Sequence, residues 1–356
     1  MSLDTLFLIG RPFSPIYAAL MRARYLFYKK GIFSSYRPQR PVISIGNLSM
    51  GGTGKTPHVI EIANFLLKRS LRVTVLTRGY GSRVGKGPFF IDDKHKDPFL
   101  VGDEPVLIYE SVKGINVIVG SNRVEAAKRA MESLDVDIFL LDDGFQHLAL
   151  KRDLDIVLLP YESPFSDGKV FPGGYLREPI SAINRANCLI LTDSLDLYDQ
   201  DYRKAEVHEL FPHIPVFLSK KSVINLTNLR GDVFKCDYLK DKKVVGFCGI
   251  AHPDSFKNML LSQECKICNF LEFKDHYHYN IQDIEVLFDI LNKSSAHFLV
   301  TTLKDSVKLR DILRFIDNKE IIERFLRELL VLNIKVEIES GFWLFLESFL
   351  NNYLEG

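Results

Sequence analysis

Pro41-Val-Ile-Ser-Ile-Gly-Asn-Leu-Ser-Met50-Gly-Gly-Thr-Gly-Lys55-Thr56-Pro-His-Val-Ile-Glu-Ile-Ala-Asn-Phe-Leu-Leu-Lys68 is the stretch whose reading decides the fold. Its opening β-branched run (Val42, Ile43, Ile45) predicts a buried strand. Gly51, Gly52 and Gly54 predict a tight loop, with Thr53 between them. From Lys55 and Thr56 onward, Val59, Ile62, Ala63, Leu66 and Leu67 recur at helical spacing. Strand, glycine loop, Lys-Thr and helix form a cradle for a nucleoside triphosphate. The loop aims backbone N–H groups at phosphate oxygens, and the helix N-terminus adds partial positive charge. Lys55 is placed to reach the β- and γ-phosphates, and the Thr56 hydroxyl to reach Mg²⁺. The strict pattern wants glycine at position 49, where this chain has Ser49. The string Gly-Gly-Thr-Gly-Lys-Thr is closer to variant loops led by lysine, and Met50 stands at that lysine's place.

The chain has 356 residues, 46% apolar and 26% charged, the make-up of a globular protein of one or two domains. A net charge of +1 argues against a nucleic-acid partner, and no required protein partner is evident. Five scattered cysteines make no disulfide framework. Cys265-Lys-Ile-Cys268 reads as reduced thiols, since zinc would need two further ligands and only His276 and His278 lie close in sequence.

Residues 1–40 are a basic, aromatic-rich amphipathic segment. Seven Lys/Arg (11, 22, 24, 29, 30, 37, 40) stand against one acid, Asp4, with Leu6, Phe7, Ile9, Phe13, Ile16, Tyr17, Leu20 and Phe27 between them. No apolar run approaches the ~20 residues a membrane span needs, so the segment suits either an anionic membrane surface or packing on the main domain.

Further along, Val73–Leu76 predicts a strand ending in Thr77-Arg78-Gly-Tyr80-Gly. Asp103-Glu104 sit in a Gly/Pro-framed turn, where one acid can act as base or metal ligand and Asp103 can instead cap a helix. Ile115–Val119 is a strand and Arg123–Met131 a helix. Val136–Leu141 is a mostly apolar strand that delivers Asp142 and Asp143, the form of a carboxylate held beside a nucleotide's Mg²⁺. Strands at 154–159 and 188–191 follow, separated by a long loop bearing Arg177. The alternation predicts an α/β fold: a doubly wound P-loop NTPase-like domain (41–215), a connecting ribbon (216–232) and a smaller α/β domain (233–356) with strands at 244–250, 270–273, 298–302 and 336–338.

Taken together the motifs resemble one family, the tetraacyldisaccharide 4′-kinases of lipid A biosynthesis. The matching pieces are Gly46-Asn47 through Thr56-Pro57, Arg78-Gly-Tyr80-Gly81, Gly102-Asp-Glu-Pro105, Asp142-Asp-Gly-Phe-Gln146-His147, Leu176-Arg-Glu-Pro179, Gly249-Ile-Ala251, Asp275-His276 and Thr301 through Leu309. The resemblance implies ATP and Mg²⁺, a tetraacyldisaccharide 1-phosphate as lipid substrate, and a peripheral place on the cytoplasmic face of a bacterial inner membrane. It implies Asp103 as general base with His276 as its partner from the second domain, and Lys55 serving the triphosphate held by Gly51, Gly52, Thr53, Gly54 and Thr56. It further implies Thr56, Asp142 and Asp143 at the metal, and Arg78, Tyr80, Glu104, Arg123, Gln146 and Arg177 toward the substrate. The chain departs from the family strings at Leu303, where glutamate is expected, at Tyr175, where proline is expected, and mildly at Thr77. A nucleotide-switch NTPase with a partner-docking second domain is the alternative; it would be marked by an Asn-Lys-x-Asp guanine string, which is absent from the sequence.

Overall fold

The computed structural model describes residues 3–85, 87–194, 197, 201–313, 316 and 318–354, which include every candidate site residue. The chain begins with α1 (Leu3–Gly10) and α2 (Ser14–Lys29). Pro15 sits in the first turn of α2, where a missing N–H costs nothing, so it starts this helix rather than breaking it. Next come β1 (Val42–Asn47), α3 (Lys55–Leu67), β2 (Val73–Thr77) and β3 (Phe89–Phe90). They are followed by α4 (Pro98–Val101), α5 (Asp103–Ser111), β4 (Asn116–Val119), α6 (Arg123–Ser133), β5 (Ile138–Asp142), β6 (Leu154–Pro160), β7 (Cys188–Thr192) and α7 (Tyr202–Leu210). The remainder is β8 (Val216–Asn228), β9 (Val233–Phe234), β10 (Lys243–Cys248), α8 (Pro253–Leu261), β11 (Lys266–Glu272), α9 (Ile281–Lys293), β12 (Phe298–Thr302), α10 (Leu303–Ile312), α11 (Lys319–Glu328), β13 (Leu329–Ile338) and α12 (Ser340–Leu354).

The strands run in the order β11-β10-β12-β13-β8-β7-β6-β1-β5-β2-β4-β3, with β9 beside β8. From β7 to β4 every pairing is parallel, and β3 closes that edge antiparallel. Strands covered by helices on both faces are mostly apolar, and β1, β2, β5 and β7 are buried at every residue. β10, β11, β12 and β13 make a second parallel set.

β8 belongs to both sets. Val216–Leu218 pair in parallel with β7, and Ser219–Asn228 then pair antiparallel with β13. The ribbon expected at 216–232 is therefore a long strand followed by a turn, and it carries one sheet into the next. β13 is ten residues long, more than the expected 336–338, because its first half lies beside β12 and nearly all of it pairs with β8.

The C-terminal helix differs from the expectation that 233–356 forms one domain. Phe342, Leu346 and Leu350 of α12 are buried in the same core as Ile43 and Ile62 of the first body, and Trp343 stacks on Phe65 of α3 at 4.5 Å between ring centroids. Its apolar stripe is matched to the back of α3, a pairing no local pattern announces. Phe342 is fully buried, so Phe342→Ala is expected to lower unfolding stability by about 3–5 kcal/mol, read as a reduced urea midpoint.

Candidate active site

The site grows from the pairing of β1 with β5, which sets Ile45 opposite Asp142. Parallel strands carry their following loops out of the same sheet end. The phosphate loop and the Asp142-Asp143 turn are thus side by side. Gly54, at φ 74°, forms the entry to α3 with no side-chain cap, which leaves the first N–H groups of the helix for a ligand. Gly52 is a glycine for a different reason. A Cβ there would stand 3.0 Å from the Cβ of Ala251, on the second body.

A cleft of ≈ 1360 Å³ opens between the two bodies. Gly51 through Thr56 line it, together with Arg78, Tyr80, Glu104, Arg123, Asp142, Asp143, Gln146, Arg177 and His276. Among the candidate residues, Asp103 stands back from this wall, 6% exposed. It begins α5 as its first helical residue, after Gly102 at φ 96°, and receives the Glu104 N–H at 2.9 Å.

At the phosphate end Lys55 Nζ lies 3.6 Å from Asp143. Arg177 donates to both Asp143 oxygens at 2.8 and 2.9 Å and approaches Gln146 Oε1 at 3.5 Å. Gln146 in turn donates to the Asn47 carbonyl at 3.0 Å. Burial would raise the Asp143 carboxyl, but Lys55 and Arg177 outweigh it and hold it below its ordinary value. Asp142 goes the other way. Burial, then Glu104 and Asp143, push it up to about 7. One of its oxygens accepts from Thr77 Oγ1 at 2.8 Å, while the other is buried with no partner. Arg123 is buried at the start of α6, donating to the Ser121 carbonyl at 3.3 Å, and burial lowers it.

At the other end His276, at φ 57°, places Nδ1 3.1 Å from both oxygens of Asp103. Burial would raise Asp103, but the His276 hydrogen bond, with Lys304 and Lys308 behind it, holds it at about 2. Burial likewise works to lower His276, and Asp103 reverses the direction. The Tyr80 ring, 66% exposed, lies 5.0 Å from the His276 ring.

Several groups here had no role assigned from sequence. Lys304 Nζ lies 3.3 Å from Glu104 and from Asp275, and Lys308 Nζ lies 3.8 Å from Asp103. Both belong to the matched string 301–309, which was their one signal. Asn225, Thr227 and Asn333 line the cleft from β8 and β13, and Tyr17, Met21 and Arg24 from α2; strand pairing and helix docking put them there. Tyr175, the departure from proline, packs edge-on against Phe7 at 4.7 Å.

Among the described residues no cluster of three or more His, Cys, Asp or Glu side chains could hold a metal unaided. Mg²⁺ does not require one, since it is bound by one or two carboxylates plus substrate phosphates and water. The unpartnered Asp142 oxygen and the Thr56 hydroxyl are hard oxygen donors of the right kind.

Because folding moves the Asp142 ionisation from about 4 in the unfolded chain up to about 7, the folded state binds the extra proton between these values, and stability falls as pH rises through them. Asp142→Asn, free of nucleotide and Mg²⁺, is expected to melt several degrees above wild type at pH 8 and level with it near pH 4. Thermal melts across that range read the difference.

A family profile described as Tetraacyldisaccharide-1-P 4′-kinase matches residues 6–351. The tetraacyldisaccharide 4′-kinase of Pelobacter propionicus is 39% identical over 317 residues, 88% of this chain and 86% of that protein. That of Desulfotalea psychrophila is 37% identical, over 86% of this chain and 89% of that protein. In structure, the "apo" form of LpxK from Aquifex aeolicus in complex with ATP superposes with a TM-score of 0.75 at 31% identity, covering 96% of this chain and 97% of that one. With the phosphate loop and the paired carboxylates lining one cleft and the Asp103–His276 contact at its wall, this chain belongs to the tetraacyldisaccharide-1-P 4′-kinase family.

Proposed function

We propose that the chain transfers the γ-phosphoryl group of ATP to the 4′-hydroxyl of a tetraacyldisaccharide 1-phosphate, giving the 1,4′-bisphosphate lipid A precursor. The observation that carries this reading is a single cleft with a phosphate cradle at one end and a carboxylate–imidazole pair at the other, the pair drawn from the two bodies. The ATP complex of the related Aquifex structure supports the donor.

In this reading Gly51–Thr56 and the α3 N-terminus bind the triphosphate, and Lys55 leaves Asp143 to reach the β- and γ-phosphates. Thr56, Asp142 and Asp143 are the residues that would hold Mg²⁺, whose chemistry is to neutralise the charge on the phosphate oxygens. Arg123 and Arg177 clamp phosphate groups as bidentate donors, and Arg78, Tyr80, Glu104 and Gln146 frame the sugar. Asp103 takes the hydroxyl proton, directly or through one water beside His276. His276 orients it, and the low pKa of Asp103 keeps the carboxylate ionised for that step. Two domains serve this chemistry: a first body of about 41–218, capped by α12, and a second of about 219–339, with β8 as the hinge. Their closure excludes water and limits ATP hydrolysis.

The reading extends to a peripheral place on the cytoplasmic face of the bacterial inner membrane, where such a lipid resides. No helix among the described residues is long and apolar enough to cross a membrane. Leu8, Ile9, Phe13, Ile16 and Leu20 are each more than half exposed, beside Arg11, Arg22, Lys29 and Lys30. That combination suits insertion among anionic headgroups.

Labelled γ-phosphate should pass from ATP to a detergent-dispersed tetraacyldisaccharide 1-phosphate. Asp103→Asn should cut kcat by roughly 10²-fold or more with nucleotide affinity retained. Absence of transfer in folded, ATP-binding wild type would move the nucleotide-switch reading forward. Separately, Ile16→Asp with Leu20→Asp should abolish co-flotation with anionic vesicles while leaving ATP binding intact; continued flotation would remove the membrane role of α2.

A further inference from the structure

Lys304 occupies an unusual place. It lies in the first turn of α10, where the helix dipole disfavours a cation. Nothing local requires it. The α10 N-terminus is already closed by Thr302 and Asp305, whose side chains and backbone bond reciprocally at 2.7 and 3.1 Å. Asp305 is itself fully buried and accepts the Gly249 N–H at 3.0 Å, which ties α10 to the end of β10. This bracing fixes where the lysine backbone sits.

From there the ammonium reaches away from its own helix. It lies 3.3 Å from Glu104 on α5 and 3.3 Å from Asp275 on the loop after β11. Its third neighbour is His276 Nε2, at 3.4 Å. The side chain is only 16% exposed, so ordering a long, mobile side chain here is a specific expenditure of entropy. A lysine ammonium has donors and no acceptor. In the neutral imidazole the nitrogen facing it therefore accepts, and the ring proton lies on Nδ1, which meets Asp103.

We propose that Lys304 is a positioning residue for the Asp103–His276 pair: anchored on Glu104 and Asp275, it faces His276 Nε2 and holds the imidazole in the tautomer that donates from Nδ1 to Asp103. This rests on the reading of that pair as the proton acceptor. The ammonium also works against the second proton on His276 that Asp103 and Asp275 favour. Other charges face the pair. Asp275 lies 3.8 Å from Nε2, farther than it lies from Lys304. Lys308, neutralised by Asp305 at 2.9 Å, approaches Asp103 rather than His276. Lys304, which also lies 3.9 Å from Asp103, is thus the cation set directly against the imidazole.

The test uses the full chain, with NMR titration of the His276 imidazole (assigned by its loss in His276→Gln) and steady-state kinetics on the same proteins. In Lys304→Met the His276 pKa should rise by about one unit, because a neighbouring cation has been removed. The acid limb of kcat/KM should move up with it, and kcat should fall roughly tenfold while the KM for ATP changes less than threefold. Lys304→Arg should restore most of both, as a merely space-filling role would not require. An unchanged His276 titration in Lys304→Met overturns the proposal, as does an unmoved acid limb. If Lys304→Met fails to fold, Lys304→Gln takes its place with the same expectations. Should wild type show no transfer, the kinase reading fails, while the His276 titration still decides the role of Lys304.

Discussion

The parallel register of β1 against β5 is the constraint on which the site depends. It forces a helix N-terminus and a lysine to share one sheet end with two consecutive carboxylates. Opposite charges gathered there neutralise one another in the free protein, with Asp143 held between Lys55 and Arg177. Asp142 has no such partner and lies fully buried behind it, an arrangement that burial alone makes unfavourable. The sheet tolerates this because the surrounding strands are apolar and tightly packed on both faces. Stability stored in the core supports this buried, unpaired carboxylate.

A second constraint acts across the cleft. β8 is continuous through both sheets, so the two bodies are joined by hydrogen-bonded strand rather than by a loose linker. On the opposite side α5 and α10 meet through charge. Asp103, Glu104 and Glu110 on α5 face Lys304, Lys308 and Arg310 on α10. His58, buried under the phosphate loop, bonds the Gly54 carbonyl at 2.7 Å and Ser219 at 2.9 Å. Ser219 lies where β8 passes from one sheet to the other. Burial brings His58 down to about 4, so this link stays uncharged at neutral pH and ties the glycine-rich loop to β8.

The N-terminal helices are bound to the same framework through the loop that carries Arg177. Ser14 donates to the Val170 carbonyl at 2.7 Å and accepts the Gly173 N–H at 2.9 Å. Tyr17 meets Phe171 edge-on at 5.5 Å, and Arg24 donates to the Gln146 carbonyl. The exposed apolar residues of α1 and α2 are therefore anchored beside the cleft. Phe7 on Tyr175 belongs to this anchorage, which gives the departure at Tyr175 a packing role.

Much of this was legible in the sequence. The β-branched run, the glycines and Lys55-Thr56 determined a strand, an anion-binding turn and a helix, because local sterics and backbone hydrogen bonding act over a few residues. The apolar run ending at Asp142-Asp143 determined a second carboxylate-bearing strand in the same way, and the ordered family strings marked Asp103 and His276. What only the tertiary structure decided is what depends on contacts between distant segments. β8 divides its pairing between β7 and β13. α12 returns to α3. Asp103 stands behind the cleft wall, and Lys304 comes to rest between Glu104, Asp275 and His276. None of these follows from periodicity, since each is set by the burial of one face against another and by the charges that meet there. The residue types were written locally, and their partners were chosen by packing.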